Sequence, residues 1–287
     1  SESDNMALKG LAYAQMYKKS GKDHIITSKI EHPAIINSCK TLERQGFKVT
    51  YLDVDENGLV NLNSLENSIT DKTFLISIMY ANNEIGTIEA IDEISKIAHK
   101  HNILFHTDAV QAVGNIKVDV QKSDIDMLSL SGHKIYAPKG VGALYVKKGI
   151  EFERFLDGGH QERDKRSGTE NVCEIVALGK ACQIAEKNLE QYHRKLVDLR
   201  DYFISSIKNR LPNVKINGSK VFKIFLACVI VVILCILAII CFRIFTGANQ
   251  ASKNSTCMPP SGVSKISAKN YTNIYECIGE CFNWIAQ

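Results

Sequence analysis

Over residues 1–146, short apolar runs alternate with amphipathic stretches, and this alternation limits the possible folds more than any other feature of the chain. The runs at 24–28, 48–52, 74–80, 103–107, 127–131 and 143–146 have strand length. Between them, 5–19, 33–45, 62–69 and 91–101 carry helical periodicity. Strands separated by helices build a mostly parallel sheet with helices on both faces. A long, heavily charged helix is predicted from 172 to about 211, where Pro212 stops it. The expected fold class is therefore α/β.

Two of the runs deliver chemistry to one place. Ile103-Leu104-Phe105 leads into His106-Thr107-Asp108-Ala109-Val110-Gln111, and Met127-Leu128-Ser129-Leu130 leads into Ser131-Gly132-His133-Lys134. If both runs are parallel strands, an acid and a lysine leave the sheet at the same edge, where open α/β sheets bind ligands. A buried lysine able to lose its proton forms Schiff bases, and a buried carboxylate keeps a pyridinium nitrogen protonated. That pairing points to pyridoxal phosphate (PLP). Taken singly, Lys134 reads as a surface lysine and Asp108 as a helix cap. The Ser-Gly-His context and the apolar run before the acid favour the chemical reading of both.

Composition removes other classes of function. The formal charge of +4 over 287 residues, with no basic stripe interleaved with aromatics, gives no reason to expect nucleic acid. The nine cysteines do not form a disulfide framework: Cys39, Cys173 and Cys182 are scattered through the α/β part. No metal site is expected.

Residues 224–242 are 19 consecutive apolar positions without charge, Gly or Pro. That length spans a bilayer as a helix, and it lies too far into the chain for a signal peptide. Lys208, Arg210, Lys215, Lys220 and Lys223 precede the run, while Arg243 and Lys253 follow it. The charge bias places the α/β part in the cytoplasm, anchored by a single span. The expected division is 1–218 as the α/β part, 219–245 as the span with its flanks, and 246–287 as a polar tail.

From Ser1 to about Gly218 the chain resembles the NifS/IscS-type cysteine desulfurases, in the class V aminotransferase group of fold-type I PLP enzymes. The matching segments are Ser1-Glu2-Ser3-Asp4-Asn5, Thr27-Ser28-Lys29-Ile30-Glu31-His32, Asn82-Asn83-Glu84-Ile85-Gly86, the two segments above, Pro138-Lys139-Gly140-Val141-Gly142-Ala143-Leu144-Tyr145, and Arg166-Ser167-Gly168-Thr169. The resemblance implies that Lys134 is the Schiff-base lysine and that Asp108 pairs with the pyridinium nitrogen. It implies that Gln111 and Asn83 hydrogen-bond the phenolic oxygen, and that His32 stacks on the ring and aids proton transfer. Ser1, Ser131 and His133 would contact the phosphate. Thr169 would reach the phosphate of a neighbouring subunit, which implies a homodimer, with Arg166 and Ser167 as loop scaffolding.

The implied reaction turns L-cysteine into alanine and leaves the sulfur on an enzyme cysteine, for iron-sulfur cluster assembly or another acceptor or scaffold protein. The family's mobile cysteine loop and its carboxylate-binding arginine are not recognisable after Gly218, and residues are expected to be missing upstream of Ser1. Turnover by this chain alone is therefore left open. The alternatives are a non-catalytic, membrane-anchored remnant, two coding segments joined near Ser219, or a related PLP lyase acting on selenocysteine or cysteine sulfinate.

Overall fold

A computed structural model describes residues 1–211 and 213–218. Its helices are α1 (Glu2–Tyr17), α2 (Pro33–Arg44), α3 (Leu62–Asn67), α4 (Ile91–Lys100), α5 (Gln161–Asp164) and α6 (Val172–Arg210). Its strands are β1 (His24–Ser28), β2 (Lys48–Leu52), β3 (Thr73–Ser77), β4 (Leu104–Asp108), β5 (Met127–Ser131) and β6 (Gly142–Val146). The strands form one sheet in the order β2-β1-β3-β4-β5-β6. Neighbours pair in parallel, except that β6 runs antiparallel to β5.

Both faces of the sheet are covered. Along each central strand successive side chains go to opposite layers. Ile25, Leu75 and Met127 pack with Leu8 and Leu11 of α1 and Ile35, Cys39 and Leu42 of α2. Ile26, Ile76, Phe105 and Leu128 pack on the other face with Leu65 of α3 and Ile91, Ile94 and Ala98 of α4. Burial on both sides explains why these strands read as unbroken apolar runs. The helices start on local signals. Pro33 opens α2 with its fixed φ, and the side chains of Asn61 and Asn171 accept from Ser64 N–H and Glu174 N–H.

β3 is shorter than the run at 74–80 suggests, because it ends at Ser77. Beyond that point Ile78 and Tyr80 still donate to His106 O and Asp108 O of β4, but β1 has already ended on the other side. In α5, Glu162, Arg163 and Asp164 hold positive φ, so this single turn is not a continuation of right-handed helix. The span predicted at 224–242 and the tail at 246–287 lie outside the described residues. Among the described residues no helix is long and apolar enough to cross a membrane.

Candidate active site

The parallel register sets Asp108 opposite Ser129 on β5, and Ala109 N–H donates to Ser129 O. β4 and β5 therefore release their C-terminal residues at one edge. After Ser131 the chain enters a 3-10 turn, Gly132–Ile135, which carries His133 and Lys134. A Cβ at residue 132 would lie 2.9 Å from Val141 O and 2.9 Å from Val141 Cγ1, so the tight turn needs glycine there. Tyr136 then takes a left-handed φ of 64° as the chain heads for β6. The Ser131 hydroxyl and His133 Nδ1 are 2.8 Å apart. Lys134 is half-buried rather than buried, because the turn carries it past the strand end into the rim of the edge.

Asp108 is 5% exposed, far more buried than a surface cap. It nevertheless caps as well, since Oδ1 accepts from Val110 N–H at 2.9 Å. The other oxygen has no hydrogen bond among the described residues. Burial pushes the carboxyl up to about 7, and the nearby Asp4 carboxylate adds to the push. Asp4, in the first turn of α1, is itself buried. Its Oδ2 lies 3.4 Å from the Ser1 amino group, and its Oδ1 is buried without a partner among the described residues. Gln111 is buried on the turn that follows Asp108.

Two residues upstream of Asp108, on the same side of β4, His106 is fully buried. Its Nδ1 is 2.9 Å from Ser77 Oγ on β3 and its Nε2 is 3.0 Å from Ser129 Oγ on β5. Burial pulls it down to about 4, so the ring is neutral and ties three strands together.

His32 lies between β1 and α2, as the strand-then-Pro pattern predicts. It is exposed, and its Nδ1 accepts from Ala34 N–H at 3.2 Å, which makes it the N-cap of α2. Asn83 is half-buried in the loop after β3. Ser1 is the exposed N-cap residue of α1 and makes no side-chain capping bond, which leaves its hydroxyl available. Arg166 forks onto Glu2, with Nε to Oε1 at 2.6 Å and Nη2 to Oε2 at 3.2 Å. Ser167 is buried and donates to Gly159 O. Arg166 thus ties the 166–169 loop to the start of α1, Ser167 ties it to the Gly159 turn, and Thr169 is exposed.

Sequence reasoning missed the buried titratable residues around the site, Asp4, Glu31 and His106. The usable signal for Glu31 was an acid between an apolar strand and His32. An open cleft of about 530 Å³ lined by Lys18, Glu151, Arg154, His160, Asp164 and Lys165 lies at the other end of α1, away from Asp108 and Lys134.

Residues 1–231 match the family described as Aminotransferase class-V. The chain belongs to that family. It is 54% identical over 220 residues to a cysteine desulfurase IscS of Clostridium botulinum, which covers 77% of this chain and 55% of that protein. A solved NifS-like protein superposes with a TM-score of 0.70 at 41% identity, covering 72% of this chain and 57% of the other. A solved structure titled SspA in complex with cysteine gives a TM-score of 0.61 at 46% identity, covering 63% of this chain and 52% of the other. The chain thus spans about half the length of the curated relatives it matches. The family match runs past Gly218 and overlaps the first residues of the apolar run at 224–242.

Proposed function

We propose that this chain forms the cofactor-binding core of a PLP-dependent cysteine desulfurase, an enzyme that converts L-cysteine to alanine and passes the sulfur to a thiol. Asp108 carries the reading. Its carboxyl is buried at a strand end beside the Lys134 turn, with one oxygen free of hydrogen bonds among the described residues. These residues fit PLP, because a pyridinium N–H calls for such an acceptor and an aldehyde calls for a primary amine at the same edge. When bound, PLP supplies an electron sink for negative charge at the α-carbon of an amino acid.

In this reading Lys134 holds the cofactor through Nζ and carries protons at the substrate's α-carbon. Asp108, kept near 7 by burial and by Asp4, ionises when a cation is placed against it. His32 stacks on the ring, while Gln111 and Asn83 donate to the phenolic oxygen. Ser1, Ser131 and His133 bind phosphate from one chain and Thr169 from a second copy, so the working unit is a homodimer. L-cysteine as substrate is supported by the names of the relatives and by the cysteine in one relative's title. Cys39 is pushed up to about 12 by burial and Cys182 is also raised, both away from a reactive thiolate. Neither of these two is therefore assigned as the sulfur-accepting thiol.

The test is the visible spectrum of the PLP-treated chain before and after L-cysteine, with alanine measured in parallel. Lys134→Ala is expected to abolish the cofactor band. Replacing Cys39, Cys173 or Cys182 singly is expected to leave it intact. A band that persists without Lys134 contradicts the assignment.

A further inference from the structure

The strand order reverses between β1 and β3, the point at which an open α/β sheet leaves a crevice beyond its carboxyl ends. Here that crevice is closed by side chains. Glu31, 6% exposed, sits just beyond β1. Its Oε1 accepts from Ser28 Oγ–H at 2.7 Å and from Met79 N–H, just beyond β3, at 2.8 Å. Asn82 adds a second tie, since its Nδ2 donates to Ile30 O at 3.0 Å. Asn82 Oδ1 in turn accepts from Glu84 N–H at 2.8 Å and Ile85 N–H at 3.0 Å, which shapes the loop that carries Asn83. Two loops that could move independently are thus joined by two hydrogen bonds, Met79 N–H to Glu31 and Asn82 to Ile30 O, while Ser28 fixes the Glu31 side chain from its own strand end. Each loop carries one residue of the proposed PLP site, His32 or Asn83.

We propose that Glu31 is a positioning residue of this site. With Asn82 as its counterpart, it clamps the His32 turn to the Asn83 loop across the β1/β3 crevice, and it does so as a neutral acid. The bonding pattern supports the neutral form. One oxygen takes both donors, and the other is buried with no hydrogen-bond partner among the described residues, an arrangement that a charged carboxylate tolerates poorly. Burial also holds this carboxyl well above the ordinary carboxylate range, and Asp108 and Glu89 push the same way. A neutral Glu31 leaves Asp108 as the acid that meets the cofactor. The clamp rests on the proposed PLP site for its purpose, but its geometry can be tested without PLP.

The experiment measures amide hydrogen exchange of the full-length chain, without cofactor, at residues 30–36 and 79–86, followed by PLP affinity. Glu31→Ala removes both acceptances. It is expected to speed exchange in both segments about tenfold, the scale of one backbone hydrogen bond, and to weaken PLP by a similar factor. Glu31→Gln keeps a neutral acceptor at Oε1 and is expected to stay within about twofold of wild type in both measurements. The clamp is overturned if folded Glu31→Ala exchanges like wild type in the two segments, and its neutral form is overturned if Glu31→Gln is as loose as Glu31→Ala. Should Glu31→Ala not fold, Asn82→Asp decides, because it keeps the acceptor for Glu84 N–H and Ile85 N–H but replaces the donor to Ile30 O and Met79 Sδ with an acceptor oxygen that cannot hold Ile30 O. Faster exchange at 30–36 supports the clamp, and unchanged exchange overturns it. A wild-type chain that binds no PLP contradicts the function proposed above and leaves the exchange comparison valid.

Discussion

Asp108 and His106 are neighbours on one side of β4, and burial moves their proton affinities in opposite directions. Asp108 rises from 3.8 to about 7, so between those values the folded chain holds a proton that the unfolded chain has released. Its burial therefore stabilises the fold less and less as pH rises through that window. His106 falls from 6.5 to about 4, so there the unfolded chain holds the extra proton. Its contribution is present above 6.5 and is lost as pH falls toward 4. The two slopes oppose each other. Denaturant titrations from pH 4 to pH 8 should show that Asp108→Asn gains stability relative to wild type as pH rises, with most of the change below about pH 7. His106→Leu should cost about 2–4 kcal/mol near pH 7, because it strands the Ser77 and Ser129 hydroxyls inside the sheet. Relative to wild type, that cost should shrink toward pH 4. A pH-independent difference for either variant would show that the group is not buried as described.

At the scale of elements, the lysine turn depends on a single close approach. Gly132→Ala would place a methyl against Val141 O and Val141 Cγ1, both 2.9 Å away, and the turn must shift to accept it. The expected cost is about 1–3 kcal/mol in stability, with a larger relative loss of PLP affinity than at Gly179 in α6, where an added Cβ meets nothing within 4 Å. Thermal melts and PLP titrations on the two alanine variants check this, and equal PLP affinities would contradict it. The sequence made this turn visible because β5 is buried on both faces, so its apolar run ends sharply at Ser131. Run length and helical periodicity likewise located β1, β2, α2 and α4 to within a residue or two. The antiparallel placement of β6 was not legible, because pairing direction leaves no mark on a run of five residues. The left-handed α5 turn was hidden too, since Glu162, Arg163 and Asp164 carry no glycine to announce positive φ. Glu31 escaped notice because its partners, Ser28 and Met79, come together only when β1 and β3 pair.

For the whole molecule, the site proposed here draws Lys134 from one copy and Thr169 from another. Mixing Lys134→Ala with Thr169→Ala chains under conditions that exchange subunits should restore one complete site per mixed dimer. PLP titration of the mixture should then recover high-affinity binding that neither variant shows alone. Failure to recover it would place Thr169 within its own chain's site or outside any site. The acid and the lysine at one sheet edge were legible because strand and turn fix them within a single chain, whereas a contribution across a dimer leaves no trace in the order of residues. The most direct test of the central claim is to incubate the full-length chain with PLP, reduce it with borohydride, and map the modified peptide by mass spectrometry. The account predicts one cofactor-derived mass on Lys134, largely lost in Asp108→Ala. A folded chain with no label, or with label spread over surface lysines such as Lys139 and Lys147, would contradict it.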